Sequence, residues 1–237
     1  MMALHLEKML RAGASGADMT EIDRGGTLTE KVYERLCHGL LLGMWAPGEK
    51  ISARSICKDL GVSLTPAREA MMRLVNEGAL DSALNRTYSA TTLTLEQYRE
   101  IANIRLLLEP MAVEVAALKA SDALFDDLER INEDLARAIG EERFRDALRL
   151  DSELHLTIYR ASEQPTLTGI IDRLWLRAGP TRNHLPVSYR KTLAGYDNHR
   201  VLIDALRARD PAAARAAITR DLTEGSRRII AFFEEAE

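Results

Sequence analysis

Asp151 and His155 stand four residues apart in a stretch whose apolar spacing predicts a helix over 141–162, so both side chains project from one face. A carboxylate and an imidazole on one face form a two-donor grip for a divalent metal. His199 stands in the next-to-last predicted helix, and Asp221 lies 22 residues further on, in the last one. The spacing alone is weak, because Asp-x3-His pairs are common and most buried histidines are hydrogen-bonded core residues. An Asp/His metal site could also activate water, so a metal-dependent enzyme is the alternative reading. Against it, the chain has no His-Glu-x-x-His pair with a built-in general base and no Gly-rich phosphate loop. Cys37 and Cys57 fall in predicted helices; two thiols cannot close a zinc site alone, and a disulfide is not expected in a reducing compartment.

The second group of chemical interest is a set of cations near the N-terminus. The 237-residue chain is 46% hydrophobic with net charge −4, a balance that argues against a protein that merely coats DNA. Residues 27–92 hold eight Lys/Arg and seven Asp/Glu, a net of +1, which leaves −5 for the rest. A near-neutral segment can still bind DNA if its few cations share a face. No run approaches the roughly 18–20 apolar residues of a membrane span. The first 19 residues lack the continuous apolar stretch of a signal peptide, so the expected location is cytoplasmic.

These residues need elements to position them. Residues 1–26 read as a loosely ordered extension. Val32, Leu36, Leu40 and Leu41 recur at helical spacing and predict a first helix over 29–43. A second short helix starts at Ser52 and ends at Gly61, and a third runs from Ser63 to about Glu77, with Pro66 tolerated in its first turn. Extended segments over 79–83 and 87–92 flank an Asn85-Arg86 tip. Three helices and a hairpin in this order make a winged helix-turn-helix over 27–92, with Leu60-Gly61-Val62-Ser63 as the tight link. The recognition helix then offers Leu64, Thr65, Pro66 and Arg68 to base edges.

The segment PGEKISARSICKDLGVSLTPAREAMMRLVNEGAL closely resembles the DNA-binding domain of the GntR superfamily. The resemblance implies DNA contacts for Arg54, Ser63, Thr65, Arg68 and the wing's Arg86, with Arg gripping guanine by two hydrogen bonds and the hydroxyls meeting phosphates. It also implies a homodimer reading an inverted-repeat operator on double-stranded DNA. The sequence departs from the family at Leu64, where arginine is usual, at Ala67, where valine is common, and at Thr87, where glycine is usual. Arg73 reads as structural.

From Thr94 the pattern changes to long amphipathic helices, an all-α bundle of six or seven over 93–237. Ile101, Ile104, Leu108, Met111 and Val115 form the expected inward stripe of the first, in which Pro110 should introduce a kink or opening. Further helices are expected over 122–140, 141–162, 166–177, 189–209 and 211–234. The segment IANIRLLLEPMAVEVAALKA resembles the opening helix of the FCD subgroup, the FadR-like branch of the superfamily. That resemblance implies a divalent metal (zinc, manganese or nickel) gathered by Asp151, His155 and His199, with Asp221 where the family carries a histidine. A second carboxylate makes the site harder and shifts preference toward metals such as manganese. The implied function is a repressor relieved by a small carboxylate effector bound at the metal, with Arg105 as a bidentate clamp and Arg177 and Asn183 as further contacts. Arg105 can instead pair with Glu109 along its own helix. A structural metal, or none, remains the other alternative.

Overall fold

A computed structural model describes residues 27–83 and 87–236. The N-terminal extension and the wing tip carrying Arg86 lie outside the described residues. The chain is mainly helical, with one small sheet.

Helix α1 spans Leu28–Leu41, and the Thr27 hydroxyl accepts from the Glu30 amide while Glu30 reaches back, a reciprocal capping box. Strand β1, Lys50–Ile51, precedes α2, Ala53–Leu60, and α3, Leu64–Asn76. Gly61 joins these two helices with φ of +63°, a left-handed conformation that explains why glycine stands in the tight turn. Strands β2, Leu80–Ala83, and β3, Thr87–Ala90, form the wing, and the sheet order is β1-β3-β2, all antiparallel. Sequence reading missed β1, because two residues carry too little periodicity to register. Val32, Leu36, Leu40, Met71, Leu74 and Tyr88 fill the core between α1, α3 and the sheet. Each fully buried aliphatic side chain there contributes about 1.5–3 kcal/mol.

The remaining elements are α4, Leu95–Lys119; α5, Asp122–Gly140; α6, Phe144–Ala161; α7, Pro165–Ala178; a 3-10 turn, Pro180–His184; a short turn, Val187–Arg190; α8, Ala194–Arg207; and α9, Pro211–Ala236. Pro110 does not interrupt α4, which runs unbroken through it. The expected helix over 189–209 begins only at Ala194. The expected inward stripe of α4 is also corrected. Met111 is 48% exposed, and the buried face is Tyr98, Ile101, Ala102, Glu109, Pro110, Ala112, Val113, Ala116 and Ala117. Small residues on that face let α4 lie close to α9 and α6, while α5 packs on α6 and α8.

The chain divides into two compact units, and the division is not a single cut. The N-terminal unit comprises the described residues through Leu93 together with Trp175–Asn183, and the second unit holds Thr94–Leu174 and His184–Glu237. Within the N-terminal unit, a Cβ on Gly179 would stand 2.8 Å from the Leu40 carbonyl oxygen, so only glycine fits. Asn183 Nδ2 donates to the Trp45 carbonyl at 3.2 Å, and Arg177 lies against Gly78.

Candidate functional site

The first site is the outer surface of α2 and α3. Ser63 occupies the N-cap position of α3, but its hydroxyl makes no capping hydrogen bond, so it is free to meet a phosphate. Thr65 and Arg54 are exposed and Arg68 is half-buried. Among the described residues neither Arg54 nor Arg68 has an ion pair, whereas Arg73 donates to Glu77 at 3.2 Å and stacks over the Tyr33 ring at 3.8 Å. Two cations with no ion pair among the described residues, beside a helix N-terminus, can grip a polyanion; the third is held by Glu77 and Tyr33.

The second site lies inside the helical unit. His155 on α6 and His199 on α8 are buried, and their Nε2 atoms stand 3.1 Å apart. Asp151, one turn before His155, brings Oδ1 to 3.9 Å from His155 Nε2 and 3.6 Å from His199 Nε2. Asp151, His155 and His199 have ligand atoms within 4.8 Å of one another. Asp221 closes from α9, at 3.2 Å from His155 and 3.9 Å from His199.

Hydrogen bonding fixes which ring nitrogens carry protons. Asn132 Nδ2 donates to the Tyr196 carbonyl, so Asn132 Oδ1 faces His199 Nδ1 at 3.0 Å and must accept from it. Arg105 donates to Glu109, so Glu109 accepts the Tyr159 hydroxyl at 2.5 Å, and that hydroxyl in turn accepts from His155 Nδ1 at 3.0 Å. Both histidines therefore present an Nε2 lone pair to the same point. Two lone pairs at 3.1 Å repel unless a positive charge joins them. Two nitrogens bound to one metal at about 2.0–2.1 Å, at angles of about 90–110°, would stand about 2.9–3.4 Å apart, so the residues fit a divalent cation.

The electrostatics show the same demand for positive charge at this point, which a proton on His155 Nε2 facing Asp221 also meets. Burial opposes a proton on His155, but the Asp221 hydrogen bond and the charges of Asp151, Asp221 and Glu109 outweigh it and raise its pKa. Burial likewise opposes charge on Asp221, yet the His155 hydrogen bond and both imidazoles hold it down at about 2. The Tyr159 hydroxyl is pushed well above its usual range by burial and by Glu109, so it stays a donor to Glu109.

Of the residues expected to touch an effector, none is brought into this cluster. Arg105 is occupied by Glu109, at 2.5 and 3.4 Å, the intrahelical pairing that its spacing allowed. Arg177 and Asn183 group with the N-terminal unit, packed against Gly78 and Trp45. Sequence reading missed Tyr159 and Asn132. Tyr159 had a signal, standing four residues after His155, whereas Asn132 lies 67 residues from its partner and had none.

Residues 28–86 match the bacterial regulatory proteins of the gntR family, and residues 100–224 match the FCD domain. The HTH-type transcriptional regulator McbR of Escherichia coli (strain K12) is 31% identical over 194 residues, spanning 80% of this chain and 86% of McbR. The chain belongs to the GntR family of transcriptional regulators, with an FCD domain. The solved structure of E. coli McbR/YncC superposes on this regulator with a TM-score of 0.81 at 28% identity, over 90% of this chain and all of that one. The gluconate operon transcriptional repressor of Bacillus subtilis (strain 168) is 27% identical over 81% of the regulator and 80% of its own length. The enzyme alternative is set aside: the regulator belongs to a family of DNA-binding proteins. No helix among its described residues is long and apolar enough to cross a membrane.

Proposed function

We propose that this regulator represses transcription as a cytoplasmic homodimer on an inverted-repeat operator and is released by a small carboxylate that binds at a metal-centred pocket. The observation that carries the sensor half is the meeting of two tautomer-fixed Nε2 atoms at 3.1 Å, flanked by Asp151 and Asp221. Asp151, His155, His199 and Asp221 would hold a divalent ion, with manganese, zinc and nickel as the metals to test. Once bound, such an ion supplies a Lewis-acid anchor for an anionic group.

The far end of the effector has support on α9. Asp221, Gly225 and Arg228 share one face at i, i+4 and i+7, so Arg228 stands about 10 Å along the helix from Asp221. A Cβ at Gly225 would meet nothing within 4 Å, which leaves room between the two. Arg228 lies over the Tyr189 ring at 5.1 Å, and Tyr189 is pushed up to about 12 by burial and by the negative charges of Asp221 and Asp151. An acid anchored at the metal would direct its other end toward Arg228, which takes the role first expected of Arg105, Arg177 and Asn183. Leu107, Met111 and Leu118 expose 65%, 48% and 64% of their surface along one face of α4, an apolar stripe suited to pairing with the same stripe of a second copy.

Measuring metal in purified regulator, then its binding to DNA upstream of its own gene with and without candidate acids, tests the reading. Protein without stoichiometric metal, whose DNA affinity no acid changes, overturns it.

A further inference from the structure

We infer that Glu109 and Tyr159 are positioning residues that hold His155 in the tautomer able to ligate a metal through Nε2, an inference that rests on the proposed metal site. Neither touches the point where the two Nε2 atoms meet. Glu109 is fully buried on α4, an unusual place for a carboxylate unless it is fully engaged. It is engaged on both sides, by the Arg105 guanidinium and by the Tyr159 hydroxyl.

The direction of donation then runs one way. Arg105 has donors only, so Glu109 accepts from it. Glu109 also accepts the Tyr159 proton, which leaves the Tyr159 oxygen with lone pairs alone to offer. Facing it at 3.0 Å, His155 Nδ1 must carry the hydrogen. A neutral imidazole with its proton on Nδ1 has a lone pair on Nε2, the atom that faces His199 and Asp221. Three side chains on two helices thus decide where one proton sits, and an oriented imidazole is also a more basic ligand. His199 is held independently, by Asn132 from α5.

The isosteric change Glu109→Gln makes a sharp test. The Gln carbonyl would face Arg105 and its amide would face Tyr159. The hydroxyl would then turn its proton toward His155 Nδ1, moving the imidazole hydrogen to Nε2. Tyr159→Phe removes the acceptor altogether and lets both tautomers form. The experiment is long-range 15N–1H correlation of the histidine rings, read at a pH where the His155 ring nitrogens report the neutral imidazole, combined with Zn2+ titration of the same full-length variants.

Wild type should show His155 with hydrogen on Nδ1. Both variants should move it toward Nε2 and weaken Zn2+ binding about 10–100-fold. His199 should keep its own tautomer in both, which a general loss of structure would not produce. His155 unchanged in both variants, or Zn2+ affinity within about twofold of wild type, overturns the inference. If wild type itself binds no Zn2+, Mn2+ or Ni2+, the metal reading fails, and the tautomer shift alone decides whether Glu109 and Tyr159 orient His155.

Discussion

His155 and His199 meet through their Nε2 atoms at 3.1 Å, and each has its other ring nitrogen engaged by a partner outside the pair. A cation held between them, as proposed, would bind the folded chain in preference to the unfolded one. At 100 times its dissociation constant, Mn2+ or Zn2+ should therefore raise the melting temperature by about 5–10 °C. Asp151→Ala and His199→Ala should abolish that shift in a thermal melt.

Asp221→His should retune the site. Replacing a carboxylate with an imidazole makes the donor set softer and less anionic, so affinity for zinc over manganese should rise. Competitive metal loading followed by elemental analysis reads the ratio, and an unchanged ratio means Asp221 is not a ligand.

On the DNA side, Arg68→Ala and Arg54→Ala should each weaken operator binding by about 1–3 kcal/mol and relax preference at one base position. Arg73→Ala should behave differently. It loses its pair with Glu77 and its stack on Tyr33, so it should lower the melting temperature while leaving base preference intact. Gel shifts on a set of single-base operator variants separate the two outcomes.

The exposed stripe on α4 predicts the oligomeric state. Met111→Lys places a charge at its middle and should convert dimers to monomers in sedimentation analysis. A variant that remains dimeric would locate the interface elsewhere.

Asp172 gives the regulator a pH-dependent weakness. Burial raises its pKa to about 6 against the opposing charge of Arg160, which lies 3.9 Å away. The folded pKa is above the unfolded one, so the group's stabilisation is complete below pH of about 4 and is lost as pH rises through about 6. The expected loss is about 1–3 kcal/mol between those limits. Asp172→Asn should flatten that part of the stability curve in denaturant titrations.

The DNA-binding unit was largely legible because its signals are local: the apolar spacing of the first helix, the turn at Gly61 and the helix start at Ser63 each act within a few residues. The four residues of the proposed metal site could be grouped only through a family pattern, since Asp151 and His155 share a helix but His199 and Asp221 arrive from others. The inward face of α4 was misread because Leu107, Leu108 and Met111 are as apolar as the residues that pack, and four of the buried positions are alanines that carry little apolar signal. For Arg105, the sequence shows a cation and a carboxylate four apart, but not that the pair with Glu109 is buried. The Tyr159 and Asn132 supports depend on contacts between helices that no spacing reveals.

Trp175–Asn183 completes the N-terminal unit, with Gly179 tucked beneath Leu40 and Asn183 on the Trp45 carbonyl. The DNA reader is therefore not finished when the ribosome passes Leu93; one piece of it is still more than 80 residues away. A protease cut at the Leu93–Thr94 junction would nick the regulator without liberating an intact reader, and a recombination event joining these first 93 residues to a foreign sensor would inherit an unfilled gap beside Leu40.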